Sequence, residues 1–335
     1  MILLASALPT LSGCIVAGVA VAVAANHVPG HINPCHENDP TQSRCESLEF
    51  GGRKRTYRIY EPAKLAKPAP LLVVLHGLTY NGWGIERQTR YSFDRLADQA
   101  GALIVYPDGV GQEWNDQPPQ PNPTGRHKID DIGFLRALVT ALSQRYAIDA
   151  DRVFVAGFSN GAVMTLYLAC DASDLFRGFV AVAGSLEQET ANSCHPTPRR
   201  VMLINGTSDM LDPWGGWHRP WGRGYLIGAE ATFAEFRTIA GCSGVEQEPP
   251  PQEKASARSD VIEHRAVGCQ DDATVKLFEV RGGGHAWPGG SQVRPPVNTH
   301  FVIEREGALQ DFVATTEAWH FLGLERTQPA PATAR

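Results

Sequence analysis

Val153-Phe154-Val155-Ala156-Gly157-Phe158-Ser159-Asn160-Gly161 is the stretch on which the reading of this chain turns. Its first four residues are apolar and read as a buried strand, and the helical pattern Ala162–Ala169 follows directly. Between them stands Gly-x-Ser-x-Gly, the pattern of a sharp strand-to-helix turn. Such a turn strains the serine backbone and leaves no room for side chains two residues to either side, hence glycine at 157 and 161. It exposes the Ser159 hydroxyl, and the following helix presents its N-terminal amides to developing negative charge. In a chain with 33 glycines the pentapeptide alone is a modest signal; its place between strand and helix makes it a strong one.

The same strand type recurs along the chain. Leu71–Leu75 (LLVVL), Ala102–Tyr106, Phe179–Val182, Val201–Ile204 and Val275–Val280 are short apolar runs, as strands buried on both faces of a parallel sheet are. Thr56–Tyr60 alternates like an edge strand. Helical patterns lie between them at Arg87–Gln99, from Asp131 onward, at Ala229–Ala240 and at Thr315–Phe321. In the second of these Ile132, Leu135, Leu138, Leu142 and Tyr146 share one face, with Asp130 or Asp131 at the N-cap position. The alternation predicts an α/β fold: a doubly wound, mostly parallel sheet in a single domain over 48–325. Pro118–Pro123 and Pro249–Pro251 read as loops, and 326–335 as a disordered tail.

Hydrophobic residues at 43% and charged residues at 20% exclude a disordered chain. A net charge of −6 argues against nucleic acid as the partner, because phosphate binding needs a basic surface. No charged side chain precedes Glu37, and Ile2 to Ala25 are almost wholly apolar or small. Residues 1–25 read as an export segment, with Ala22-Val23-Ala24 offering the small-x-small pattern of signal peptidase. Two further readings stand beside cleavage: Leu11-Ser12-Gly13-Cys14 looks like a lipobox, making Cys14 a lipid anchor, and the run is long enough to remain as a membrane anchor. All three place the folded part outside the cytoplasm, secreted or periplasmic. Residues 26–47 form an N-terminal extension. With Cys14 set aside, seven cysteines become an even six in an oxidising compartment. Six cysteines allow 15 pairings. The simplest is sequential: Cys35–Cys45, Cys170–Cys194 and Cys242–Cys269. No Cys-x-x-Cys spacing points to a metal.

A serine on such a turn works with an acid and a histidine, each at the C-terminal end of a later strand. Val201–Ile204 runs into Asn205-Gly206-Thr207-Ser208-Asp209, and Val275–Val280 into Gly282-Gly283-Gly284-His285. Ser159, Asp209 and His285 are therefore the candidate catalytic residues, with Asp212 a second candidate for the acid. His76-Gly77-Leu78-Thr79 follows the Leu71–Leu75 strand, so the amide of Leu78 or Thr79 would join that of Asn160 in an oxyanion hole. His76 reads as a loop brace; His218, His264, His300 and His320 read as surface or packing residues. The Asn205-Gly206-Thr207 sequon is discounted because it sits at a strand end. Chemistry of this kind requires neither a metal nor an organic cofactor.

LHGLTYNG (75–82), WNDQ (114–117), IDDIGFLRAL (129–138), RVFVAGFSNGAVM (152–164), NGTSD (205–209) and GGGHAWPGG (282–290) together resemble the poly(3-hydroxybutyrate) depolymerase family of α/β-hydrolases. That group also includes feruloyl and acetylxylan esterases. The resemblance implies the α/β-hydrolase fold, Ser159 as nucleophile, His285 as base and Asp209 as its orienting acid. It also supports the Cys170–Cys194 and Cys242–Cys269 bridges. Two positions depart from the family pattern: Ala162, where a second glycine is usual, and Asn205, where a histidine is usual. The segment DPWGGWHRPWGRG (212–224) reads either as a packed cap loop or as an aromatic wall for an acyl or aryl group, formed by Trp214 and Trp217 with Trp287 beside His285. The expected protein is a secreted serine ester hydrolase acting through an acyl-enzyme on short 3-hydroxybutyrate-type oligomers or related small esters. The alternative is a feruloyl or acetylxylan esterase of plant cell walls. A peptidase and a catalytically silent binding protein on the same fold are weaker readings.

Overall fold

A computed structural model of the chain describes residues 43–118, 128–197, 199–219, 223–248, 261–291 and 312–325. The strands are β1 (Arg44–Phe50), β2 (Arg53–Tyr60), β3 (Ala69–Leu75), β4 (Leu103–Pro107), β5 (Ile148–Phe158), β6 (Gly178–Val182), β7 (Arg200–Gly206), β8 (Trp217–His218), β9 (Tyr225–Leu226), β10 (Gly244–Glu248), β11 (Val261–Val267) and β12 (Thr274–Val280). The helices are α1 (Gly82–Gln88), α2 (Ser92–Ala100), α3 (Asp131–Arg145), α4 (Asn160–Asp171), α5 (Gln188–Asn192), α6 (Ala229–Ile239) and α7 (Ala314–Leu322). Ten strands form one sheet in the order β1-β2-β4-β3-β5-β6-β7-β12-β11-β10. The six from β4 to β12 are parallel, and an antiparallel pair flanks them at each edge. β8 and β9 pair separately as a small hairpin.

Every position of β3, β4 and β6 is buried, because helices cover both faces of the parallel region. Alternate residues feed two cores. Leu71, Val73 and Leu75 pack with Phe134 and Leu138 of α3, Leu166 of α4 and Phe233 of α6. Leu72 and Val74 pack with Phe93 of α2 and Trp319 of α7. This is the doubly wound arrangement that the strand–helix alternation predicts. Asp130 caps α3, accepting from the Gly133 amide at 2.8 Å. Asp131 is buried instead and pairs with Arg55 at 2.7 Å.

Three expectations change. Arg87–Gln99 is not one helix: α1 starts earlier, capped by Asn81, and the chain breaks at Arg90 and Tyr91, both at positive φ. Thr56–Tyr60 lies in β2, which is not at the sheet edge, because β1 pairs alongside it. β1 alternates exposed and half-buried residues, so its polar sequence resembles an extension more than a strand. The stretch between Cys242 and Cys269, in which the apolar runs predict no strand and Pro249–Pro251 reads as a loop, carries β10 and β11, which extend the sheet beyond β12.

Cys170–Cys194 and Cys242–Cys269 are disulfides closing separations of 24 and 27 residues. Loops of that length stabilise by about 3 kcal/mol each in the chain-entropy model. Cys45 is also disulfide-bonded, and Cys35 lies outside the described residues. Residues 1–25 with Cys14, the tail 326–335, Pro249–Pro251, Trp221 and His300 likewise lie outside them.

Beneath α1 and α2 sits a buried charged cluster. Arg58 pairs with Glu86 at 2.7 Å, and the Tyr106 hydroxyl donates to Asp94 at 2.6 Å. Burial, and then the Glu86 charge, push the Asp94 carboxyl up to about 8. An unfolded aspartate titrates near about 4, so the folded value is the higher one. The associated stability is therefore complete below about pH 4 and is lost as pH rises towards 8. Asp94→Asn keeps an acceptor for Tyr106 and a donor towards Glu86. It is expected to flatten the Tm–pH profile between pH 4 and 8; a profile as steep as the wild type would show that Asp94 does not take up that proton.

Candidate active site

The parallel strand order decides which loops meet. Ser159 follows β5, Asp209 follows β7 and His285 follows β12, all at C-terminal strand ends. β7 and β12 are hydrogen-bonded neighbours, with Gly206 opposite Val280. Their loops are tied further on: Thr207 donates its amide to Val280 at 3.0 Å and Ser208 to Gly283 at 2.9 Å. Those bonds set Asp209 beside His285.

At the β5–α4 turn, Ser159 has φ +55° and ψ −120°, a strained conformation for a non-glycine residue. Both flanking glycines are sterically required. A Cβ on Gly157 would stand 2.1 Å from the Gly161 carbonyl oxygen, and one on Gly161 would stand 2.5 Å from that of His76. Ala162, at the position where a glycine is usual, fits because Gly184 lies opposite it.

The three side chains form one hydrogen-bonded chain. His285 Nδ1 lies 2.8 Å from Asp209 Oδ2, and His285 Nε2 lies 2.8 Å from Ser159 Oγ. With Nδ1–H donated to the carboxylate, Nε2 is left to accept from the serine hydroxyl. The other oxygen of Asp209 accepts the amides of Leu211 at 2.8 Å and Asp212 at 2.9 Å, so the carboxylate is held on both sides. Asp212 instead receives the Ser185 amide and hydroxyl at 3.1 and 2.9 Å. The geometry thus separates the two candidate acids, placing Asp209 and not Asp212 on His285. Burial, then the Asp209 charge, push the Asp212 carboxyl up to about 6. Burial acts to lower the His285 imidazole, but the charge and hydrogen bond of Asp209, with Asp212 behind, outweigh it and leave His285 above its ordinary value.

Of the candidate oxyanion donors, Thr79 is already committed: its amide donates to the Gln112 carbonyl at 2.9 Å, and its φ is +69°. The Leu78 amide has no acceptor among the described residues. The Asn160 amide opens α4 and has no carbonyl one turn earlier to bond. Leu78 and Asn160 are therefore the amides free to receive an oxyanion.

Trp287 is not a wall of the site. It is 3% exposed, packs edge-on against Phe93 and donates its indole N–H to Thr315 at 3.0 Å, so it is a core residue. Trp214 and Trp217 are half-buried on the loop and β8 beyond Asp209. Met210 and Leu211, 70% and 40% exposed, flank Asp209 at the surface. His76 braces as expected, its Nε2 accepting the Gly109 amide at 2.9 Å; burial drives its imidazole down to about 4, so it stays neutral. Asn205 is 2% exposed and donates to the Gly184 carbonyl, so the folded protein does not present it for glycosylation. The WNDQ motif carries no separate role in the sequence reading, yet the fold brings its Trp114 and Asp116 against the side chain of Asn160.

The sheet order and strand-end loops are those of an α/β-hydrolase. An acetyl xylan esterase from Aspergillus awamori superposes with a TM-score of 0.54 at 17% identity, covering 84% of this chain and 99% of that one, a likeness of fold. In sequence, a protein named "Putative esterase NocK" from Nocardia uniformis subsp. tsuyamanensis is 32% identical over 73% of this chain and 74% of its own length. The chain belongs to the esterase family of α/β-hydrolases and is a carboxylic ester hydrolase of the serine hydrolase group. Feruloyl esterase B of Piromyces equi is 28% identical over 66% of this chain, although the match spans only 40% of that protein. Feruloyl and acetylxylan esterase names are more frequent among the relatives than that of poly(3-hydroxybutyrate) depolymerase. The model of the prolyl oligopeptidase family matches residues 91–209.

Proposed function

We propose that Ser159 is the nucleophile, His285 its base and Asp209 the acid that orients and charge-stabilises His285. The carrying observation is the unbroken Ser159–His285–Asp209 chain, at 2.8 Å for each link. His285 takes the Ser159 proton as Oγ attacks the ester carbonyl, and the Leu78 and Asn160 amides hold the oxygen of the tetrahedral intermediate. His285 then protonates the departing alcohol, leaving an acyl-enzyme. Water, activated by the same imidazole, releases the acid and restores Ser159.

For substrate class, the reading is a feruloyl or acetyl ester of a plant cell-wall saccharide, in preference to a hydroxyalkanoate oligomer. It is supported by the greater frequency of cell-wall esterase names among the relatives. The apolar residues Met210 and Leu211 and the half-buried Trp214 and Trp217, all on the segment after β7, suit an acyl or aryl group. The two disulfides fit an exported protein working in an oxidising compartment. An ester panel tests the reading: methyl ferulate and acetylated xylan should be turned over faster than 3-hydroxybutyrate oligomers or a peptide amide. Faster release of 3-hydroxybutyrate would overturn the substrate class while leaving the catalytic assignment intact.

A further inference from the structure

We propose that the loop from Gly109 to Gln117 is a brace that sets the separation of the two oxyanion amides, with Trp114, Asp116 and the side chain of Asn160 as positioning residues. The inference rests on the reading of Leu78 and Asn160 as oxyanion donors. Those amides lie on different segments, one after β3 and the other opening α4, and they must converge on one oxygen.

The loop bonds to both segments. Towards the first, Gln112 accepts the Thr79 amide at 2.9 Å, the Gly109 amide donates to His76 Nε2 at 2.9 Å, and Trp114 Nε1 donates to the His76 carbonyl at 2.9 Å. Towards the second, the Trp114 amide donates to Asn160 Oδ1 at 2.7 Å. Asn160 Nδ2 donates to the Trp114 carbonyl at 3.2 Å and to Asp116 Oδ2 at 2.7 Å. Trp114 thus touches both halves with its own backbone and ring. His76, Trp114 and Asp116 are each 0% exposed, so little water competes for these bonds and their geometry is held tightly.

Asp116 is secured in turn. Arg219 Nη1, on the chain just beyond β8, donates to the same Oδ2 at 2.6 Å, with 8% of the Arg219 side chain exposed. From below, the Asn115 amide donates to Asp131 at 2.8 Å, and Asp131 is paired with Arg55. The brace therefore joins the oxyanion segments to the hairpin segment that carries Trp214 and Trp217. Neither Trp114 nor Asp116 is within bonding distance of Ser159 or His285, so their effect on turnover would pass through Asn160 and His76.

The test compares two double variants that both carry Arg219→Met, so that any contribution of Arg219 itself cancels and no guanidinium is left buried without its partner. Asp116→Asn keeps a carbonyl to accept from Asn160 Nδ2, whereas Asp116→Ala removes it. Deleting an oxyanion donor outright typically lowers kcat by about 10²–10³-fold, so loosening one should lower it by about 10–100-fold. Asp116→Ala/Arg219→Met is expected to show that loss relative to Asp116→Asn/Arg219→Met on p-nitrophenyl acetate, with KM changed by less than about threefold. The inhibition constant of phenylboronic acid, whose serine adduct places an oxygen in the same hole, should rise in step with the fall in kcat. Equal kcat for the two variants, or a difference confined to KM, overturns the brace. If the alanine variant does not fold, Trp114→Phe removes the indole N–H bonded to the His76 carbonyl, together with part of the ring whose centroid lies 5.0 Å from that of the His76 imidazole, and should lower kcat; wild-type kcat there overturns the proposal equally. Wild-type turnover by Ser159→Ala would instead sink the catalytic reading on which the brace rests, and so keeps the two failures apart.

Discussion

Ser159→Ala should lose about 10⁶-fold in kcat on p-nitrophenyl butyrate, the scale found when a serine hydrolase loses its nucleophile. The size follows from the arrangement. His285 Nε2 has Ser159 Oγ at 2.8 Å as its partner, and without that oxygen the imidazole has only unpositioned water to activate. A residual rate of about 10³–10⁴ over the uncatalysed reaction should survive, because the Leu78 and Asn160 amides still stabilise an oxyanion. The fold should not suffer, since Ser159 keeps its backbone bond to the Val182 carbonyl at 3.0 Å. The checks are steady-state kinetics, an unchanged Tm and loss of labelling by a fluorophosphonate probe. Turnover within about 100-fold of wild type would remove Ser159 from the nucleophile role.

Asp209→Asn should cost about 10⁴-fold in kcat, through the tautomer it imposes on His285. An amide at this position can donate to Nδ1, turning the ring so that Nε2 carries the proton and can no longer accept from Ser159. Asp212→Asn should cost less than about tenfold, because Asp212 bonds Ser185 and not the imidazole. It should nevertheless move the pH profile. The Asp212 charge helps hold His285 above its ordinary value, so removing that charge lowers the His285 pKa. The acidic limb of kcat/KM, which reports the free base, is then expected at lower pH. Losses of similar size in both variants, or an acidic limb displaced to higher pH, would contradict this division of roles.

The features legible in the amino-acid sequence are those that local chemistry enforces. Buried parallel strands announce themselves as unbroken apolar runs, so β3, β4, β6, β7 and β12 can be placed within two residues of their observed ends, whereas β5 begins at Ile148, five residues before its apolar run, in the polar stretch IDADR. The glycines at 157 and 161 betray the tight turn because no side chain fits there. What escapes is set by partners remote in sequence. β1 is polar and becomes a strand only because β2 offers it an edge. The break between α1 and α2 rests on two non-glycine residues at positive φ, which no composition signals. Trp287 beside His285 in sequence suggests a pocket, but its ring turns into the core against Phe93.

By itself, then, the sequence determined the strand–turn–helix around Ser159, the order of serine, acid and histidine along the chain, and the doubly wound class of the sheet. These follow from periodicity, apolar runs and the steric demands of glycine, all of them properties of neighbouring residues. Tertiary structure alone decided that Asp209 and not Asp212 bonds His285, that Thr79 is occupied by Gln112 while Leu78 is free, and that WNDQ bonds both the segment after β3 and the start of α4. Each of these is a choice between groups of equal chemistry a few residues apart. Such a choice depends on which donor a distant loop has already engaged, and that is fixed only when the chain is folded.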